Sequence, residues 1–190
     1  MRCTAILLAL LSAGCVTGGQ PPVVRYALDP DTTATQVTAT DRAMAIRTID
    51  AARPYRQKIA FLAEGAVLGQ YEYAEWAELP EDLVTRALSD ALVATNRFAD
   101  VGRSVDVLRP DLMLTGELRK FHENRTSTPR TAQFEVRLEL REGVARELVW
   151  SATLSAEVPL EKDDVSALPA AMSEAVSQVV REAAEQMGKL

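Results

Sequence analysis

Apolar and polar positions alternate along this chain with two periods, and those periods predict its elements. The clearest helical stripe follows Pro80, a residue suited to a first helical position, with Glu81 and Asp82 where the helix dipole favours negative charge. Leu83, Val84, Ala87, Leu88, Ala91 and Leu92 then share one face, and Asn96 predicts a left-handed stop. A second stripe of Met172, Val176, Val179, Val180, Ala183 and Met187 predicts a helix over 168–187. Between the helices the period falls to two. Residues 111–121 place Leu112, Leu114, Gly116 and Leu118 on one side. Ala132, Phe134, Val136, Leu138 and Leu140 alternate with Gln133, Glu135, Arg137, Glu139 and Arg141, which predicts an antiparallel strand with one wet face. Glu142-Gly143 turns the chain, and Leu148, Trp150, Ala152, Leu154, Ala156 and Val158 alternate back.

The first half is more broken. Residues 23–28 read as a strand closed by Asp29-Pro30-Asp31, and the Thr- and Ala-rich stretch 32–41 as a loop. A strand over 43–49 ends before Pro54-Tyr55, and the apolar run 58–63 suits a buried strand. Gly65 turns into a further strand over 66–73, with Val67, Gly69, Tyr71 and Tyr73 on one face. Residues 123–130 read as a polar connection containing Pro129. The whole predicts a two-layer α+β fold: a mainly antiparallel sheet with two amphipathic helices packed on one face.

The front of the chain follows another logic. Arg2 precedes an apolar run of about nine residues, too short to span a bilayer, and Ser12-Ala13-Gly14 lead into Cys15. This resembles the lipobox of bacterial lipoproteins, in which cleavage exposes a cysteine whose thiol carries diacylglycerol. Ser12 stands where leucine is usual, with Leu11 one place earlier. The predicted organisation is a signal peptide over 1–14, a lipidated Cys15 and Gly/Pro-containing tether over 15–22, and one α+β domain over 23–190. Acyl chains on one cysteine anchor stably because each buried methylene contributes about 0.8 kcal/mol. Val16 after the cysteine, rather than Asp, resembles the pattern sorted to the outer membrane.

Composition then narrows the function. With 190 residues, 47% hydrophobic and 25% charged, the chain is an ordinary globular length once its leader is removed. Cys3 leaves with the leader and Cys15 is acylated, so no thiol remains to pair in the mature fold. A net charge of −6 argues against nucleic acid and against adhesion to anionic lipid by charge alone. The sequence has no phosphate loop, HExxH or GxSxG. Its one histidine, His122, stands at a predicted strand end with no Ser, Cys or metal-ligand partner at a recognisable spacing, and reads as a solvated loop residue. Glu81-Asp82 and Asp163-Asp164 sit where turns and helix starts collect carboxylates, and Asn124-Arg125-Thr126 matches a glycosylation triplet without bacterial meaning here. No enzymatic activity and no cofactor beyond the lipid on Cys15 is expected. The candidate contact residues are Tyr71, Tyr73 and Trp76, either packed inward against the helix or presented to a partner or lipid.

Those residues also carry a resemblance. Tyr26-Ala27-Leu28-Asp29-Pro30 near the tether, Pro54-Tyr55, the Ile59 strand, Tyr71-Glu72-Tyr73 with Trp76 and Pro80, Phe98 to Val101, Asp111 to Leu118, and Leu148-Val149-Trp150 before Val158-Pro159 occur in order. The chain resembles the ABC-type transport auxiliary lipoproteins of the PqiC-like kind. The resemblance implies a non-enzymatic accessory on the periplasmic face of the outer membrane. It implies an MCE-domain protein and an ABC permease and ATPase as partners, with phospholipid as a candidate ligand and the membrane reached through the lipid anchor. The alternative is an envelope interaction module for peptidoglycan-synthase activation or outer-membrane assembly. A hydrolase using His122 ranks below both.

Overall fold

A computed structural model describes residues 20–190, so the predicted leader over 1–14, Cys15 and residues 16–19 of the tether lie outside the described residues. Among those described, β7 (Leu112–Asn124) organises the sheet. Along one edge it pairs antiparallel with β8 (Thr131–Glu142), which pairs antiparallel with β9 (Leu148–Pro159). Its other edge takes three segments in chain order, all parallel. β2 (Ala43–Ile46) lies beside Leu112 to Leu114, β3 (Asp50–Ala51) beside Glu117 and Leu118, and β4 (Lys58–Ala63) beside His122 to Asn124. β6 (Asp100–Arg103) extends the sheet beyond β2, while β5 (Val67–Trp76) pairs antiparallel with β4 and carries β1 (Val24–Tyr26) on its outer edge.

The α+β expectation therefore holds, with a mixed sheet. Its long ladders are antiparallel, and its short strands attach in parallel. Two short strands were not anticipated. β3 has only two residues and β6 reads Asp-Val-Gly-Arg, so neither shows a period; both form because a neighbour, β7 for β3 and β2 for β6, offers an open edge.

α1 (Pro80–Ala94) and α2 (Leu168–Met187) bury the predicted stripes. α2 lies on β8 and β9, α1 reaches β3 and β6, and the two helices touch. Leu112, Leu114, Leu118, Phe121, Phe134, Val136, Leu138 and Leu140 complete one core with them. Asn96 ends α1 at φ +54°, in the left-handed region that Asn tolerates better than most residues. The loop 32–41 has no regular structure, yet Val37 and Thr40 donate backbone N–H groups to Thr95 and Arg97 carbonyls just past α1. Likewise, Asp29 and Asp31 N–H groups donate to Ser173 and Ser177 hydroxyls, which binds the segment after β1 to α2.

Two boundaries shift with consequences. β5 continues three residues past Tyr73 to Trp76, where the Trp76 N–H donates to the Gln57 carbonyl at 2.7 Å. β7 continues past Phe121 through His122, Glu123 and Asn124. Those three polar residues broke the expected pattern, but β4 on one side and β8 on the other supply the ladder bonds.

Candidate functional site

The aromatic stretch of β5 divides at an irregularity. Lys58 lies opposite Glu75 while Ala60 lies opposite Gln70, so β5 spends extra residues against β4. Such a bulge changes which residues point inward. Before it, Gly69 faces Phe61 and Tyr71 packs edge-on to the same ring, at 5.3 Å between centroids. Beyond it, Ala74 and Trp76 turn into the core. Trp76 is 2% exposed and packs edge-on to Phe121 at 5.4 Å, and Phe121 packs edge-on to Phe134. Tyr73 keeps to the surface side, its hydroxyl donating to the neighbouring Glu72 at 2.8 Å. Tyr71 and Tyr73 are both half-buried, with exposed Glu72 between them, and their hydroxyls engage different carboxylates.

Tyr71 belongs to a larger constellation that the sequence did not reveal. Its hydroxyl donates to Glu123 Oε2 at 2.5 Å. Arg125 Nε donates to the same oxygen at 3.0 Å, and Arg130 Nη1 donates to Glu123 Oε1 at 3.1 Å. The Arg125 guanidinium also stacks 3.6 Å from the Phe61 ring centroid and 4.5 Å from that of Tyr71. The Glu123 side chain has no exposed surface, against 26% for Arg125 and 31% for Arg130. Burial, with the bond to Glu123 second, pushes the Tyr71 phenol up to about 12, so it remains a proton donor at neutral pH. The reading of 123–130 as a plain polar connection is corrected at its first two residues, Glu123 and Asn124, which belong to β7. Locally, Asn124 Oδ1 accepts from the Thr126 N–H and hydroxyl, so the Asn-Arg-Thr triplet builds the turn that places Arg125.

His122 is the second correction. It is 4% exposed, not solvated. Nδ1 lies 3.1 Å from the Tyr55 hydroxyl, and Nε2 lies 3.1 Å from Gln133 Oε1. One neutral tautomer satisfies both contacts: Nε2–H donates to Gln133, and Nδ1 accepts from Tyr55. Burial pushes the imidazole below its ordinary 6.5. Since the folded form resists protonation, the unfolded chain binds the extra proton as pH falls. Stability is therefore full above about pH 6.5 and declines below it. We expect urea midpoints to fall between about pH 6.5 and pH 5, and His122→Gln to flatten that slope whatever offset it adds at neutral pH. This is the chain's only histidine, which makes the assignment clean.

Both clusters have their polar groups committed to one another. Each Glu123 oxygen accepts bonds, and the His122 nitrogens face a phenol and an amide, neither of them a nucleophile set for attack. No group of three or more His, Cys, Asp or Glu positioned for a metal ion occurs among the described residues. Two surface concavities, of about 570 and 490 Å³, are rimmed by charged side chains: Glu78, Asp82 and Arg86 in one, Arg47, Arg141 and Arg146 in the other. Neither has the apolar lining that sheaths an acyl chain.

Comparison with known proteins places this fold. A crystal structure of a Xanthomonas campestris protein of the DUF330 family matches with a TM-score of 0.80 at 22% identity, covering 87% of this chain and 94% of that one. A crystal structure of an uncharacterized protein matches at 0.65 and 12% identity, covering 82% and 99%. A hypothetical protein from Chlamydia trachomatis matches at 0.54 and 9%, covering 78% and 96%. At these identities the likeness is one of fold. No curated protein sequence matches the chain. The family model for the ABC-type transport auxiliary lipoprotein component matches residues 26–184, from β1 to the last turns of α2. This chain belongs to the family of ABC-type transport auxiliary lipoprotein components.

Proposed function

We propose that this protein is a non-enzymatic docking component of an ABC/MCE-type lipid transport system, anchored through acylated Cys15 to the periplasmic face of the outer membrane. The observation that carries the reading is the family match from residue 26 to 184, which takes in β2 to β9 and nearly all of α2. The leader and Cys15 precede that span closely, as a tether should. The charged clusters support it further, since they are locked and offer surface rather than chemistry. In this reading, ATP hydrolysis and membrane passage belong to the ABC ATPase and permease, and this chain holds a periplasmic MCE assembly at the membrane. Tethering raises the domain's effective concentration for that partner.

Tyr73 and the outer edge of Tyr71 are the proposed contact, to the partner or to phospholipid. Trp76 supports them from inside the core. Metabolic labelling with a fatty-acid analogue tests the anchor: wild type is expected to carry the label, and Cys15→Ser to lose it and leave the membrane fraction. Equal labelling of both would remove the basis for tethered docking.

A further inference from the structure

We propose that the β4–β5 hairpin tip is the part of the domain that seats on the lipid surface holding the anchor. The proposal rests on the reading that Cys15 is acylated. It deepens that reading by fixing which end of the sheet meets the bilayer.

The direction comes from register. β1 runs parallel to β5, with Val24 opposite Ala74. β5 begins at the hairpin tip, so the chain before Val24 heads toward that tip. Pro21 and Pro22 lack the N–H groups needed to extend the ladder further. Length then sets the reach. Because of the bulge, β5 from Val67 to Glu75 runs alongside only Ala63 to Lys58 of β4, five residue steps (63 − 58) or about 17 Å at ~3.3 Å per residue. Cys15 precedes Val24 by nine residues (24 − 15), at most about 31 Å at ~3.4 Å each. The tether is therefore long enough to carry Cys15 to the tip and past it.

The opposite end is out of comfortable reach. Lys58 pairs with Glu75 and Ala60 with His122, so β1 lies near the level of Lys120. Leu112, where β7 starts and the β8–β9 turn closes, is eight residues further off (120 − 112), or about 26 Å. A tether serving that end would have to reverse and spend nearly its full length.

The surface chemistry agrees. Val67 is 58% exposed and Leu68 38%, flanking a turn in which Gly65 and Ala66 adopt positive φ. Val23 and Val24, on the tether's own path, are 44% and 47% exposed. Between Ala63 and Leu68 the only ionisable side chain is Glu64, so the seat is apolar, not electrostatic. Arg125 behind the tip, its guanidinium stacked on Phe61 and paired with Glu123, is committed within the domain and adds no charge to the seat.

Single-cysteine labelling tests this in the full acylated chain, because cleavage removes Cys3 and acylation blocks Cys15. Val67→Cys and Val144→Cys are labelled with bimane and reconstituted in phosphatidylcholine–phosphatidylethanolamine vesicles containing doxyl lipids. Both positions are exposed, Val144 at 98% in the β8–β9 turn. Leu68→Cys serves as a second tip position. With acyl mass confirmed on Cys15, the proposal expects blue-shifted, doxyl-quenched emission at 67 and 68 and none at 144. Quenching at 144, or at neither end, would overturn the seating while leaving the anchor intact. Protein recovered without acyl mass would overturn both. A tip label already shielded in Cys15→Ser protein without vesicles would show a second copy on the tip, and would also overturn it.

Discussion

Trp76→Ala is expected to destabilise the fold by about 3–5 kcal/mol, the range for truncating a large buried aromatic. Trp76 is 2% exposed, closes the end of β5, and packs edge-on to Phe121, which in turn packs edge-on to Phe134. Removing the indole opens a void between the sheet and the start of α1. The surrounding ladder cannot collapse into it, because Trp76 pairs with Tyr26 of β1 and its backbone N–H is held by Gln57. The rings it touches also lose their edge-to-face contact, worth about 0.5–1.5 kcal/mol beyond burial. Trp76→Phe keeps much of the volume and is expected to cost clearly less. Urea unfolding monitored by circular dichroism reads both. A wild-type midpoint in Trp76→Ala would mean that the residue is not the packing element described.

The double variant Arg125→Ala/Arg130→Ala is expected to lose a comparable amount, about 3–5 kcal/mol, the cost of stranding a buried charge. Glu123 has no exposed side-chain surface, and its two cationic partners are these arginines. Either arginine alone leaves the other in place and costs less, although Arg125 also gives up its stack on Phe61. The asymmetry is physical. The arginines are partly exposed and regain water when unpaired, whereas the carboxylate cannot. Adding Glu123→Met to the double variant should therefore restore most of the stability, since the position faces Ala132 and Phe61 across the ladders. If the double variant unfolds like wild type, Glu123 is solvated in the working protein and the cluster is misdescribed.

How much of this was legible follows from where each signal resides. α1 and α2 announce themselves because each carries a continuous stripe over about three turns or more, β8 because eleven residues alternate without interruption, and β9 because apolar residues recur at every second place from Leu148 to Val158. Asn96 also read correctly, because a left-handed stop depends on one residue's own backbone preference. β3 and β6 are stabilised by neighbours rather than by their own two to four residues, and left no pattern. His122 and Glu123 were misjudged for the same reason. A polar residue is buried only when distant partners satisfy it, and those partners are Tyr55 and Gln133 for one, Tyr71 and two arginines for the other. Tyr71 and Glu123 are 52 positions apart, a separation no local period encodes. The bulge in β5 had a similar effect, since simple alternation sets Tyr71 and Trp76 on opposite faces, whereas Tyr71 packs on Phe61 and Trp76 on Phe121, on the same side of the sheet.

Co-purification tests the central claim, that the chain contributes position to a transport assembly. After mild cross-linking in cells that express the full operon, detergent-solubilised wild-type protein is expected to recover an MCE-domain protein together with its ABC permease. Cys15→Ser, exported but unanchored, should recover far less. Recovery of a cell-wall synthase or an outer-membrane assembly factor instead, with the MCE protein present and uncaptured, would contradict the account.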